Sequence, residues 1–166
     1  MTNEDKIIRK DRLRFEKNKL SSGLTYLAIL FNVFYFVNLY GYYNNTYYYK
    51  ILIGASVLYN LIFLLTAFLA SEGVKNYKIN MSVILIVIGL LQIVRIFYIP
   101  LQAHNTILVI DLVERPVMTT GQFIFQVVCL CASCVTAVIA GIFGILRSLE
   151  LQSRLKEIEA EKSQNA

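Results

Sequence analysis

Charged residues are almost absent from the middle of this sequence. Only 16% of its residues are charged, whereas a typical soluble domain has about 25%. Four long apolar segments contain no aspartate or glutamate, and they cover residues 22–40, 51–70, 81–99 and 121–146. The low charge excludes an ordinary soluble domain. The missing carboxylates argue against a proton-coupled pump, which normally carries such a group within the membrane.

Residues that usually carry catalysis are equally scarce. His104 is the only histidine, so neither a histidine-based metal site nor a nucleophile–base pair can be assembled. No glycine-rich phosphate-binding loop is present either. We therefore expect a protein without a catalytic site, a bound metal or a cofactor, and without a nucleic-acid partner.

The three cysteines all lie in the fourth apolar segment, at Cys129, Cys131 and Cys134. The C-x-x-C spacing resembles the membrane cysteine pair of the vitamin K epoxide reductase family, which also needs a second pair in its first outer loop. This sequence has no cysteine there. Cys131 follows the start of its segment by about 16 Å at 1.5 Å per residue, a depth at which a thiol is inert. We interpret these cysteines as small apolar fillers.

Each apolar segment is long enough to cross the hydrocarbon core, which takes about 20 residues of α-helix. Helices are expected because lipid offers the backbone no hydrogen-bond partner, so each segment must satisfy its own N–H and C=O groups. The sequence therefore predicts an all-α fold, a four-helix transmembrane bundle at residues 21–147. A basic arm precedes it at residues 1–20, and a tail follows at residues 148–166.

The sequence also predicts two features near the helix ends. Leu151, Leu155 and Ile158 have helical spacing among charged residues, so the fourth helix is expected to continue into the tail as an amphipathic helix. Gly73, in the short loop between the second and third helices, is expected to end the second helix.

Basic residues are distributed very unevenly between the two predicted membrane faces. Thirteen of the sixteen lysines and arginines lie in the basic arm, in the loop at residues 71–80, or in the tail together with Arg147 directly before it. The opposite face has only Lys50 and Arg115, and Arg95 lies within the third helix. Because cytoplasmic loops carry the excess of basic residues, both termini are predicted to be cytoplasmic.

Polar side chains lie near the centre of three predicted helices. Asn32, Asn60 and Gln92 each lie about ten residues into a span, so they share one depth near the middle of the bilayer. Such a layer of amides can join helices by hydrogen bonds worth about 0.6–2 kcal/mol each. It can also line a polar site.

Arg95 is the only ionisable residue within the predicted spans that forms an ion at neutral pH. It lies four residues before the end of the third helix, so its side chain is expected to extend outward to the interface. Alternatively it pairs with Asp111 or Glu114 of the second outer loop, or with an acidic group on another protein.

Small residues form two adjoining rows on the fourth helix at a spacing of four residues. Such rows let another helix approach closely, so this face is expected to contact the chain's own helices, a different subunit, or both. The two rows are Ala132, Thr136, Ala140 and Gly144, and Ser133, Ala137 and Gly141.

The first outer loop is rich in tyrosine, a residue that suits either the membrane–water boundary or a binding surface. Both readings stay open. The six tyrosines are Tyr40, Tyr42, Tyr43, Tyr47, Tyr48 and Tyr49.

In the second outer loop, an apolar run between Asn105 and Pro116 is too short to cross the membrane. It predicts a strand, an interfacial segment or a small cap.

Four segments carry a resemblance to a known group of proteins: KIIRKDRLRFEKNKLSS, ILIGASVLYNLIF, FLASEGVKNYK and QIVRIFYIP. They resemble a family of small four-helix membrane proteins of Gram-positive anaerobic bacteria, for which no activity is established. The resemblance spans most of the chain. It implies the plasma membrane of a bacterium and an association with ABC-type transport systems, and it transfers no functional residues.

Two functions are expected from these features. The first is a non-catalytic accessory or scaffold subunit that packs, within the bilayer, against another integral membrane protein such as a transporter. The alternative is a self-associating channel or small-solute carrier, built around the amide layer and Arg95.

Overall fold

The computed structural model of this protein describes residues 17–39, 47–110 and 113–164. Four helices are long and apolar enough to cross a membrane, within Lys19–Asn38, Ile53–Lys75, Ile79–Asn105 and Thr120–Ala160. The described chain is otherwise helical except for one small hairpin. The prediction of four apolar helices, each long enough to cross a membrane, is confirmed within the described residues.

The elements follow one another in a simple up-and-down order. They are α1 (Lys19–Leu39), α2 (Tyr47–Lys75), α3 (Ile79–Tyr98), α4 (Pro100–Asn105), β1 (Ile107–Ile110), β2 (Val113–Pro116) and α5 (Thr120–Gln164). Helix α5 packs extensively on α1 and α3, and α2 packs on the same two helices from the opposite side. Among these neighbouring pairs, α2 and α3 are the least closely packed. We call the packed helices α1, α2, α3 and α5 the helical body.

Small and polar side chains fill the interior of the helical body, while large apolar side chains cover its outside. Ser21, Thr25 and Ser82 are fully buried, whereas Leu65 and Phe97 are 62% and 60% exposed. This is the reverse of a water-soluble bundle. It suits a lipid environment, where close contact between small residues and hydrogen bonds hold helices together.

At one end of the helical body, which we call the terminal end, α1 begins and the turn from α2 to α3 lies. Helix α2 does not end at Gly73 as expected but runs to Lys75. Tyr77 then adopts a positive φ of 59°, and the Lys78 N–H donates to the Gly73 carbonyl at 3.0 Å. This is a Schellman motif in which a tyrosine occupies the left-handed position.

Gly73 is needed for close packing between α2 and α3 at this turn. A Cβ atom at Gly73 would lie 2.8 Å from the Cβ of Met81, so glycine allows the start of α3 to pack closely on α2. The turn is also tied to α5, since the Ser148 hydroxyl donates to the Tyr77 carbonyl at 3.1 Å.

The opposite end of the helical body, which we call the loop end, carries α4 and the hairpin. Strands β1 and β2 pair antiparallel, with Ile107 opposite Pro116 and Ile110 opposite Val113. Of the three structures predicted for this apolar run, the strand is therefore the one observed. The ring of His104 in α4 stacks on Phe123 of α5 at 4.7 Å between centroids, which anchors this region to the helical body.

Candidate functional site

Arg95 lies in the last turn of α3 and is only 7% exposed. Its guanidinium donates three hydrogen bonds to side-chain oxygens. The acceptors are Gln92 Oε1 at 2.9 Å, Asn60 Oδ1 at 3.1 Å and Asn32 Oδ1 at 3.2 Å. Because these acceptors come from α3, α2 and α1, one side chain connects three of the four spanning helices.

The Arg95 side chain points back along α3 and away from the loop end. Side chains of a helix tilt toward its N-terminus, and α3 begins at the terminal end, so its Arg95 side chain reaches the amide layer. This differs from the expected extension toward the interface. The two acidic residues considered as partners, Asp111 and the Glu114 side chain, lie outside the described residues.

Two tyrosine rings complete the surroundings of Arg95. The guanidinium carbon lies 4.5 Å from the ring centroid of Tyr35 and 4.7 Å from that of Tyr59. Both distances fall within the range of a cation–π interaction, which is strongest where water is excluded. The rings therefore stabilise the positive charge without neutralising it.

Hydrogen-bond donors outnumber acceptors in this site. The amide nitrogens of Asn32, Asn60 and Gln92 are buried and have no acceptor among the described residues, because the amide oxygens face Arg95. The buried Tyr35 hydroxyl also has no hydrogen-bond acceptor within the same part of the chain. Across the described ranges, Arg95 forms no ion pair. The site thus combines one positive charge with several unused donors, which favours an anionic or acceptor-rich group.

A pocket of about 190 Å³ leads to Arg95 from the side of the helical body. It opens between α2 and α3, the least closely packed neighbours. At its rim, Leu91, Val94 and Tyr98 are 42%, 47% and 59% exposed. The complete wall consists of Tyr35, Ala55, Ser56, Tyr59, Leu91, Val94, Arg95, Tyr98 and Ile99.

The small-residue face of α5 is occupied by the chain's own helices. Ser133 donates to the Ala28 carbonyl of α1 at 3.0 Å, and the Ala140 carbonyl accepts a hydrogen bond from Ser21. A Cβ atom added at Gly141 would lie 2.7 Å from the Ser82 carbonyl oxygen of α3.

Two further residues of this face, Gly144 and Ala137, also contact α3. A Cβ atom at Gly144 would clash with the Ser82 hydroxyl, and the Cβ of Ala137 lies against Gly89 of α3. Ala132 and Thr136 are half-buried, and the Thr136 hydroxyl donates to the Ala132 carbonyl within α5 at 2.7 Å. Most of the face therefore packs on α1 and α3, and Ala132 and Thr136 stay partly exposed.

Three of the six tyrosines predicted for the first outer loop lie within the described residues. Tyr40, Tyr42 and Tyr43 lie outside the described residues, and Tyr47, Tyr48 and Tyr49 form the start of α2, where only the backbone is described. The three cysteines are free: Cys129 and Cys134 are buried and Cys131 is exposed. Within the described ranges, no group of three or more metal-ligating side chains lies together.

Sequence reasoning missed Tyr35, Tyr59 and Gln126. Tyr35 lies one turn after Asn32 and Tyr59 directly precedes Asn60, so tyrosines close to intramembrane amides were the available signal. Gln126 is fully buried in α5, and neither polar atom of its amide has a partner in the described part of the chain. It lies one turn from Cys129 and Leu130, which pack with Tyr35.

A comparison of the chain with protein-family models, with curated proteins and with solved structures finds no match. The resemblance to the bacterial four-helix family, and with it the association with ABC-type transport systems, stays a prediction.

Proposed function

We propose that this protein is a non-catalytic subunit of a larger membrane complex and that it binds its partner within the bilayer through Arg95. In this proposal the helical body is a four-helix transmembrane bundle in the plasma membrane of a bacterium. Both termini are cytoplasmic, since thirteen of the sixteen basic residues then lie on the cytoplasmic side. The terminal end faces the cytosol and the loop end faces outward.

One observation carries the proposal: Arg95 is a buried cation without an acidic partner among the described residues. A charged side chain in the hydrocarbon region is unfavourable, and such residues normally pair with another group or line a pathway. Three neutral amide oxygens and two aromatic rings compensate the charge only in part. An anionic group from a second molecule would complete the site.

The position of the pocket favours a partner in the membrane over a solute in water. Its opening lies between α2 and α3, and its rim residues Leu91 and Val94 are exposed apolar side chains. In a bilayer these side chains face lipid or another membrane protein. A molecule that approaches within the membrane therefore has direct access to Arg95.

Purification from native membranes tests this function. We expect the tagged protein, extracted in a mild detergent, to bring down a defined integral membrane protein. The Arg95→Gln variant should lose it, while Arg147→Gln, at a half-buried basic residue near the terminal end, should retain it. Recovery of the protein as a single chain under the mildest extraction conditions would contradict the proposal.

The second candidate is a self-associating channel or carrier for a small anion, and the unused donors of Asn32, Asn60 and Gln92 favour it. It predicts flux of chloride, phosphate or succinate into liposomes that contain only this protein. That flux should fall in the Arg95→Gln and Gln92→Leu variants. If the pure protein gives no flux of any of the three anions, this candidate fails.

A further inference from the structure

We infer, resting on the proposed function, that the partner contributes a transmembrane helix with an aspartate or glutamate. Its carboxylate enters the pocket between α2 and α3 and pairs with Arg95. The surrounding apolar residues of that helix lie against the exposed side chains at the rim of the pocket.

The hydrogen-bonding capacity of the site matches one carboxylate. A guanidinium has five N–H donors, and the amide oxygens of Gln92, Asn60 and Asn32 accept three hydrogen bonds from it. The remaining donors can serve the two oxygens of a carboxylate, together with the Tyr35 hydroxyl, which has no acceptor among the described residues. Arg95 and Tyr35 both belong to the pocket wall, so the charge and the free donor are accessible from the same side.

The size of the pocket favours a side chain over a free ligand. Its volume is about 190 Å³, whereas pockets for small molecules usually measure about 300–1,000 Å³. A single acidic side chain is small enough to fill this space. The rest of its helix stays outside, in the plane of the membrane.

The α2 rim allows the close approach that a short acidic side chain requires. Gly54 and Ala55 are both exposed, and a Cβ atom at Gly54 would have no atom within 4 Å. Small residues let helix backbones come close together in lipid. On the α3 rim, Leu91 and Val94 offer apolar contact.

A second copy of this chain does not fit as the partner. None of its four apolar segments contains an aspartate or glutamate, so a spanning helix of a second copy provides no carboxylate. The partner helix must therefore belong to a different protein.

A designed peptide gives a direct test, because the chain contains no tryptophan. The probe is a leucine–alanine helix of about 24 residues with a central glutamate and one tryptophan a turn away. A matched peptide has glutamine in place of glutamate. Each is reconstituted with the full protein in vesicles of brominated lipid, which quenches the emission of a lipid-exposed tryptophan. The measurement is the protection from quenching as the protein concentration rises.

We expect the wild-type protein to bind the glutamate peptide about tenfold more tightly than the glutamine peptide, the size of a strong polar contact in a membrane. Arg95→Gln should abolish this difference. Ala55→Leu, which narrows the rim without touching Arg95, should weaken binding as well. Cys131→Leu, which also enlarges a side chain but at an exposed position on α5, should leave it unchanged.

Equal protection of both peptides, or an undiminished preference in Arg95→Gln, would overturn the inference. So would an Arg95-dependent rise in thermal stability on adding palmitate in the absence of peptide binding, which would assign the pocket to a lipid carboxylate. Failure here is distinct from failure of the proposed function. A native partner that co-purifies with the wild type but not with Arg95→Gln, while the two peptides are protected equally, would retain the proposed function and exclude only the acidic helix.

Discussion

Arg95 and Asn60 connect α3 to α2 through a hydrogen bond of 3.1 Å between the guanidinium and the amide oxygen. These two helices are the least closely packed neighbours in the helical body. The hydrogen bond therefore joins the two neighbouring helices that are least closely packed. This arrangement leaves room beside the guanidinium, and that room is the pocket through which we propose that a second molecule reaches the charge.

Replacing Arg95 by leucine should destabilise the protein. Three buried amide oxygens would lose their donor, and each unsatisfied polar group costs about 1–3 kcal/mol. We expect the free energy of unfolding in mixed detergent micelles, followed by circular dichroism during an SDS titration, to fall by about 3 kcal/mol. Arg154→Leu removes an exposed ion pair with Glu157 and should cost about 0.5 kcal/mol or less. Equal losses of stability in the two variants would show that the buried hydrogen bonds of Arg95 contribute no more than an exposed ion pair.

Tyr59 allows the ring contact to be separated from the hydroxyl. Tyr59→Phe keeps an aromatic face beside the guanidinium, which lies 4.7 Å from the present ring centroid. Tyr59→Leu removes that face and should lower the free energy of unfolding by about 1 kcal/mol more than Tyr59→Phe. The same SDS titration measures the difference. If the two variants are equally stable, the tyrosine acts by apolar packing alone.

Two glycine-to-alanine substitutions should have opposite effects on stability. At Gly141 the new Cβ atom would lie 2.7 Å from the Ser82 carbonyl oxygen, so α3 and α5 must separate. We expect a loss of about 1–3 kcal/mol, as for other overpacked interiors. At Gly54 the Cβ atom meets open space, and alanine favours the helix by about 0.5–1 kcal/mol. A stable Gly141→Ala protein would contradict the close contact between α3 and α5.

Orientation in the membrane can be tested with single cysteines in a background where Cys129, Cys131 and Cys134 are replaced by alanine. Thr119 is exposed at the loop end, and Ser153 is exposed on the α5 segment beyond the terminal end. We expect an impermeant maleimide applied to intact cells to label Thr119→Cys but not Ser153→Cys. Permeabilised cells should show labelling of both, which is the control for reactivity. The reverse pattern would place the termini outside.

The sequence was sufficient for the four spans because hydrocarbon imposes a simple requirement of about 20 apolar helical residues. The exact ends were less predictable. Gly73 was expected to end α2, but the left-handed position belongs to Tyr77. Glycine is needed at position 73 because Met81 approaches it closely, and this contact depends on how α3 returns beside α2.

The candidate site was predictable in composition but not in arrangement. Counting residues places Asn32, Asn60 and Gln92 at one depth. Their convergence on Arg95 depends on which face of each helix points into the helical body, and residue counting does not give that. The inward direction of Arg95 was available from the sequence, since helix side chains tilt toward the N-terminus. The contacts of Tyr35 and Tyr59 with Arg95 could not be predicted from the sequence, because a neutral tyrosine within a span does not by itself indicate a charged neighbour.

The small residues of α5 show the opposite limitation. Their spacing correctly indicates a surface for close helix contact, but spacing alone does not identify the neighbouring helix. Ser21 and Ser82, on α1 and α3, contact this surface. Both helices pack closely on α5, so the chain itself occupies most of the face.

Helix α5 runs without a break from Thr120 to Gln164, about 67 Å at 1.5 Å per residue. It connects the hairpin region to the charged tail as one continuous helix. A change in its tilt of about 10° around its midpoint displaces each end by roughly 6 Å. Under the proposed function, a partner that binds the side of the helical body and tilts α5 would therefore move the tail without contacting the tail itself.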